Sequence, residues 1–174
     1  MVTRTSAAEW HGAVPDGGGT VSLGSGAFEG RYSFGSRFEE EPGTNPEELL
    51  GAAHASCFSM ALSVQLTNSG YIPVSIQTLA KVRIERSDDG FAITHVDLVT
   101  EGEVPGLDSD AFLAQAETAK RSCPVSKALS GVEITLTASL IERSSSALLR
   151  AGPDAAAKPQ VMSRKGSEQF QKSR

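Results

Sequence analysis

The sequence carries two cysteines, Cys57 and Cys123, and most of the chemistry open to the chain depends on them. Two thiols are too few for a disulfide scaffold or an all-cysteine zinc site. They are either inert core residues or a redox pair. Cys57 lies in Ala53-His54-Ala55-Ser56-Cys57-Phe58-Ser59-Met60, where composition by itself points to a buried, unreactive thiol. Cys123 precedes Pro124 at a helix start, where free backbone N–H groups and the helix dipole favour the nucleophilic thiolate. Sixty-six residues separate the two, so a bond between them would be a tertiary contact and not a local C-x-x-C pair. A metal-binding module built on Cys57, Cys123 and His54 is a rival reading. The apolar surroundings of Cys57 and the lack of a fourth ligand at recognisable spacing weigh against it. His11 and His95 fall on strands, and nothing recommends them as ligands.

The elements that must hold these side chains can be read from the same string. Glu9–Val14 and Thr20–Leu23 flank Pro-Asp-Gly-Gly-Gly, a hairpin signal with Asp-Gly at the turn. Residues 30–38 supply a third short strand. Asn45 at the cap, Pro46 at the first helical position and Glu47-Glu48 in the first turn start a helix that Asn68-Ser69-Gly70 closes. Its interior is apolar almost all round, which predicts a buried central helix. Strands over 75–84 and 91–99 follow, the first alternating Ile76, Thr78, Ala80, Val82 and Ile84 on one face. A helix over 108–121, a short helix from Cys123-Pro124 and a strand over 132–141 complete an α+β pattern, an antiparallel sheet packed on a helix.

Composition excludes several classes. With 174 residues, 39% hydrophobic and 21% charged, the chain can bury one core. No apolar run approaches the ~20 residues of a membrane span, and Met1–Trp10 has no apolar secretory core, so a cytoplasmic location is expected. Net charge is -5, with no basic cluster in the first 140 residues, which argues against a nucleic-acid-binding body. Charge is uneven: 144–174 hold six Lys/Arg against two acids, and 1–143 hold ten against nineteen. The chain therefore reads as one domain over 1–143 and a basic, mobile tail over 144–174.

The runs FGSRFEEEPGTNPEELLGAAHASCFSMALS and SCPVSKAL resemble the osmotically inducible protein C branch of the OsmC/Ohr hydroperoxide reductases. Asn45-Pro46-Glu47-Glu48-Leu49-Leu50, the helical Ala55-Ser56-Cys57-Phe58 and Cys123-Pro124-Val125-Ser126 occur together and in order, and the resemblance covers about residues 7–141. Arginine shortly before the Asn-Pro-Glu-Glu-Leu segment, and His54 where the organic-hydroperoxide-resistance branch usually has tyrosine, favour the first branch. The resemblance implies an OsmC-like fold of antiparallel sheets around a buried central helix. It implies an intertwined homodimer with its active site at the interface, and a thiol-dependent peroxidase. Cys57 would be the peroxidatic cysteine and Cys123 the resolving one, with Arg37 and Glu47 completing the site. The substrate would be a small hydroperoxide and the reductant an external dithiol, lipoyl-type among the candidates. No metal, flavin or haem is called for, and neither nucleic acid nor membrane is an expected partner. A non-catalytic redox-sensing or ligand-binding protein on the same fold is the alternative.

Peroxide chemistry asks for such residues. A thiolate attacks one oxygen of the weak O–O bond, yet a free thiol has a pKa of about 8.5 and burial raises it. A guanidinium beside Cys57 would counter that and hold the developing alkoxide, and a carboxylate would fix the guanidinium's orientation. Phe34, Phe38, Leu50, Phe58, Met60 and Val125 are candidates for an apolar pocket wall, which would favour organic hydroperoxides over hydrogen peroxide, although each alone is better explained by core packing. His54, three residues before Cys57, is either a proton relay or a structural histidine. Glu47 lies ten residues before Cys57, a rise of ~15 Å if one helix holds both. Either that helix begins later than its cap chemistry says, or Glu47, with or without Arg37, serves the cysteines of a partner chain. The second agrees with the interface site that the resemblance implies.

Overall fold

A computed structural model describes residues 1–14, 16–88 and 90–141; the expected tail over 144–174 lies outside the described residues. The elements run β1 (Ser6–His11), β2 (Gly18–Leu23), β3 (Glu29–Ser33), α1 (Phe34–Phe38), α2 (Pro46–Asn68), β4 (Ser75–Ser87), β5 (Gly90–Glu103), α3 (Ser109–Ser122), α4 (Pro124–Ala128) and β6 (Glu133–Leu140). They form two three-stranded sheets, β1-β2-β3 and β4-β5-β6.

Local chemistry sets α2 where expected. The side chain of Asn45 accepts from the Glu48 N–H at 2.8 Å, Pro46 opens the helix, and Glu47 and Glu48 face its positive end. Gly70 takes φ +87 just beyond the last turn, the left-handed geometry that ends helices. Gly51 lets the helix lie on β4: a Cβ there would sit 3.3 Å from the Ala80 carbonyl oxygen. The core joins Phe58, Leu62 and Leu66 of α2 to Val96 and Leu98 of β5, Phe112, Ala116 and Ala119 of α3, and Cys123.

Five expectations need correction. The strand expected through residue 38 stops at Ser33, because the Ser33 hydroxyl accepts from the Ser36 N–H at 3.0 Å while Ser36 returns the bond to Ser33 at 2.9 Å. That reciprocal cap starts α1 instead. The first hairpin has no tight Asp-Gly turn; β1 ends at His11, which pairs with Gly18, and a loop fills the gap. In β5 the alternation of 91, 93 and 99 does not hold, because a bulge opposite Arg83 and Ile84 leaves Thr94 unpaired and shifts the inward face to Val96, Leu98 and Thr100. β6 runs parallel to β5, so this sheet is mixed: a connection holding two helices is long enough for the crossover that a parallel pair requires.

The fifth concerns α2. With 23 residues and a mean hydropathy of 1.4 over an 18-residue window, it is long and apolar enough to cross a membrane by length and composition, against the expectation that no run would be. It is also not buried all round. Glu47, Gly51, His54, Phe58, Leu62 and Leu66 form the stripe that packs inward, whereas Ala52, Ala53, Met60 and Val64 are exposed, Met60 at 69%.

Candidate active site

Two clusters hold the residues singled out above, and they stand on opposite ends of one stretch of helix. The first is at the start of α2. Arg37 donates from Nη2 to Glu47 Oε1 at 2.7 Å and from Nε to Oε2 at 3.1 Å, a bidentate pair. The Asn45 side chain donates to the Ser36 carbonyl at 3.2 Å and so ties α1, which carries Arg37, to the cap of the helix that carries Glu47. Glu47 is nearly buried and Arg37 a third exposed. The guanidinium lies 5.1 Å above the Phe38 ring and opens into a cavity of about 550 Å³. Trp10, Tyr32, Phe34, Phe38 and Phe91 line it. Phe34 and Phe38 were expected as pocket wall; Trp10, Tyr32 and Phe91 were not legible, because β1, β3 and β5 bring them in from distant parts of the chain. Of the other expected wall residues, Phe58 is core and Met60 is exposed, and Val125 packs against the core.

The second cluster is formed where α4 meets the middle of α2. The Cys57 and Cys123 thiols lie close enough to shift each other's ionisation; Cys123 is fully buried and Cys57 half-buried. Burial pushes the Cys57 thiol up, and its contact with Cys123 pushes the same way against the Val125 N–H. At Cys123 burial also acts upward and is the largest single effect. The Ser126 N–H, the Cys57 thiol, the Ser126 hydroxyl and the Val125 N–H together outweigh it, so this thiol lies below its ordinary value. Ser126, a residue the sequence reading passed over, also hydrogen-bonds His54: its Oγ lies 2.8 Å from Nε2. Burial lowers the His54 pKa and keeps the imidazole neutral.

Glu47 and Cys57 sit in one unbroken helix, so the ~15 Å of rise between them is real, and the reading in which α2 begins after Glu47 falls away. Arg37 pairs with Glu47, not with the cysteines of its own chain. The arrangement offers two halves of a thiol site, a nucleophile pair and a braced cation beside an aromatic cavity. Among the described residues no cluster of three His, Cys, Asp or Glu side chains could hold a metal ion.

Known proteins share much of this sequence and this fold. The family described as OsmC-like protein matches residues 38–137. Peroxiredoxin OsmC of Escherichia coli strain K12 is 49% identical over 136 residues, which span 78% of this chain and 94% of that protein. Organic hydroperoxide resistance protein OhrA of Bacillus subtilis strain 168 is 33% identical over 99 residues, 55% of this chain and 67% of that one. In fold, an organic hydroperoxide resistance protein from Elizabethkingia anophelis superposes with a TM-score of 0.63 at 23% identity, covering 82% of this chain and 98% of that one. An OsmC-like protein from Mycoplasma pneumoniae does so with a TM-score of 0.63 at 16% identity, over 81% and 99%. The chain belongs to the OsmC-like protein family, on the side of its OsmC branch.

Proposed function

We propose that this protein is a thiol-dependent peroxidase that reduces organic hydroperoxides to alcohols, with Cys57 as the attacking thiol and Cys123 as the resolving one. The observation that carries the proposal is that the fold brings the two cysteines together across 66 residues of sequence, close enough for each to shift the other's ionisation. The Cys57 thiolate attacks the terminal peroxide oxygen; the S–O bond forms, the O–O bond breaks, and the alkoxide takes a proton to leave as the alcohol. The sulfenic acid condenses with Cys123 to a disulfide and water. An external dithiol returns both thiols by exchange.

The site is completed across a homodimer. Inside one protomer Cys57 is pushed toward the thiol form, and among the described residues no cation stands by it to reverse that. Arg37 of a second copy, braced by that copy's Glu47, would lower the Cys57 pKa and stabilise the departing alkoxide. The open face of α2, with Ala52, Ala53, Met60 and Val64, is the surface a second copy would cover. The aromatic cavity beside Arg37 takes the hydrocarbon end of the substrate, and each Å² of it removed from water adds about 25 cal/mol to binding that hydrogen peroxide cannot gain. We place the reaction in the cytoplasm, where a free thiol pair stays reduced between turnovers.

The test is steady-state consumption of cumene hydroperoxide and of hydrogen peroxide with excess dithiol. Many turnovers per protein and a preference for the organic substrate are expected. Cys57→Ser abolishes consumption, and Cys123→Ser uses about one equivalent and stalls as a sulfenic or overoxidised acid. Consumption that stops at one equivalent in the wild type would instead make this a redox sensor.

A further inference from the structure

We propose that His54 and Ser126 form a proton relay that activates Cys123 for disulfide formation, an inference that rests on the pairing of Cys57 with Cys123 read above. Among the described residues His54 is the one fully buried titratable side chain apart from Cys123, and peroxide cleavage at Cys57 does not use it. Its Nε2 lies 2.8 Å from Ser126 Oγ, and Ser126, three residues after Cys123 in the first turn of α4, acts on the Cys123 thiol and draws its pKa down. Its Nδ1 is buried with no hydrogen-bond partner. Any proton that His54 gives or takes along a hydrogen bond therefore passes through Ser126.

The chain of atoms suits the task. A serine hydroxyl has one donor and two acceptor sites. It can accept from the Cys123 thiol while donating to a neutral Nε2, or donate to the thiolate while accepting from Nε2–H. Cys123 is shut off from solvent, so its proton cannot leave directly to water. In the resolving step the Cys123 proton moves to Ser126 Oγ as the Ser126 proton moves to His54. The Cys123 thiolate then attacks Cys57 Sγ. The S–S bond forms and the S–O bond breaks, the Cys123 sulfur being oxidised and the sulfenic sulfur reduced. The departing hydroxide leaves as water with the proton that His54 returns through Ser126. The low pKa of the buried imidazole keeps it free to accept at neutral pH.

The titratable groups that face this chain come from α2, namely Cys57 and His54. On α3, Lys120 is tied to Glu117 and Arg121 to Thr118, and Lys127 of α4 is exposed. The arrangement also explains the spacing of both motifs: the histidine three residues before one cysteine meets the serine three residues after the other.

The test follows one equivalent of cumene hydroperoxide added to the reduced full-length protein, with disulfide formation and dimedone capture of the Cys57 sulfenic acid timed against pH. Ser126→Ala should slow disulfide formation ~10²-fold at neutral pH, the low end for a positioned acid–base group, and should raise dimedone capture. Removing the hydroxyl takes a donor from the Cys123 thiolate, so the rising limb of the rate should move to higher pH. Ser126→Thr, which keeps a hydroxyl, should restore most of the rate. His54→Gln, which can still hydrogen-bond Ser126 but takes no proton, should also be slow and should lose the limb that titrates with the imidazole. Ultraviolet thiolate absorbance in a Cys57→Ser background gives the Cys123 ionisation directly and should shift upward with Ser126→Ala. A wild-type rate and profile in Ser126→Ala, or a slower rate with an unshifted profile, would overturn the relay alone. A wild type that consumed hydroperoxide without forming the disulfide would overturn the cysteine pairing and the relay with it.

Discussion

Arg37 meets Glu47 through two parallel contacts at 2.7 and 3.1 Å, and this geometry separates a working cation from a solvated one. An arginine facing the Glu39-Glu40-Glu41 run in water would be worth ~0–1 kcal/mol, and its loss would barely register. Glu47 is nearly buried at the start of α2, where the helix's positive end also favours its charge. The pair is therefore a prepared fork with one edge left for an oxygen ligand. Arg37→Ala should lower kcat/KM ~10²–10³-fold, the usual cost of losing a group that stabilises an oxyanion. Arg37→Lys should recover only part, because a point charge cannot reproduce the fork. The thiol pKa of Cys57, read from alkylation rate against pH in the assembled protein, should rise in Arg37→Ala. An unmoved pKa with near-wild-type turnover would return Arg37 to the role of a surface ion pair.

At the scale of elements, the short helix α1 earns its place by what it carries. Its serine cap turns the chain out of β3, and the Asn45 side chain then spans α1 and α2 with one group on each: Oδ1 takes the Glu48 N–H and Nδ2 donates to the Ser36 carbonyl. Asn45→Ala should cost about 1 kcal/mol as a lost cap, visible as a lower urea midpoint at an unchanged slope. Because the same side chain sets where Arg37 stands relative to Glu47, turnover should also fall several-fold, and Asn45→Asp, which keeps the cap but cannot donate to the carbonyl through an N–H, should lose that turnover while keeping most of the stability. Wild-type turnover in Asn45→Asp would show that the tie to Ser36 is dispensable. Further along, α4 matters through its first turn, whose N–H groups at Val125 and Ser126 converge on the cysteine sulfurs.

For the whole molecule, the separation of the two half-sites along α2 and the open face of that helix point the same way. One protomer leaves Met60 69% and Val64 52% exposed on the helix that bears Cys57. Mixing inactive Glu47→Ala with inactive Cys57→Ser and letting subunits exchange should restore activity. One of the two sites in each heterodimer would then combine an intact cysteine pair with an intact Arg37–Glu47 pair. No recovery, with exchange verified by mass spectrometry of differently tagged subunits, would place both halves in one chain.

Short-range physics made much of this legible without coordinates. Asn45-Pro46 and Asn68-Ser69-Gly70 bound α2, and the alternation from Ile76 to Ile84 marked the inward face of β4, because caps and side-chain periods act over a few residues. The cysteines, Arg37 and Glu47 were nameable as site candidates by type and motif. What the local pattern could not settle depends on segments far apart in the chain. The Ser33–Ser36 cap competes with strand extension and wins only once Ser36 also reaches the Thr44 carbonyl at 2.8 Å. The β5 bulge and the parallel pairing of β6 with β5 depend on strands brought together from distant parts of the chain. Above all, the Cys123 pKa is lowered against its burial by groups that α4 turns toward it, and the link from His54 to Ser126 spans 72 residues. Those are tertiary quantities, because hydrogen-bond donors and desolvation at a thiol come from whatever the fold brings beside it.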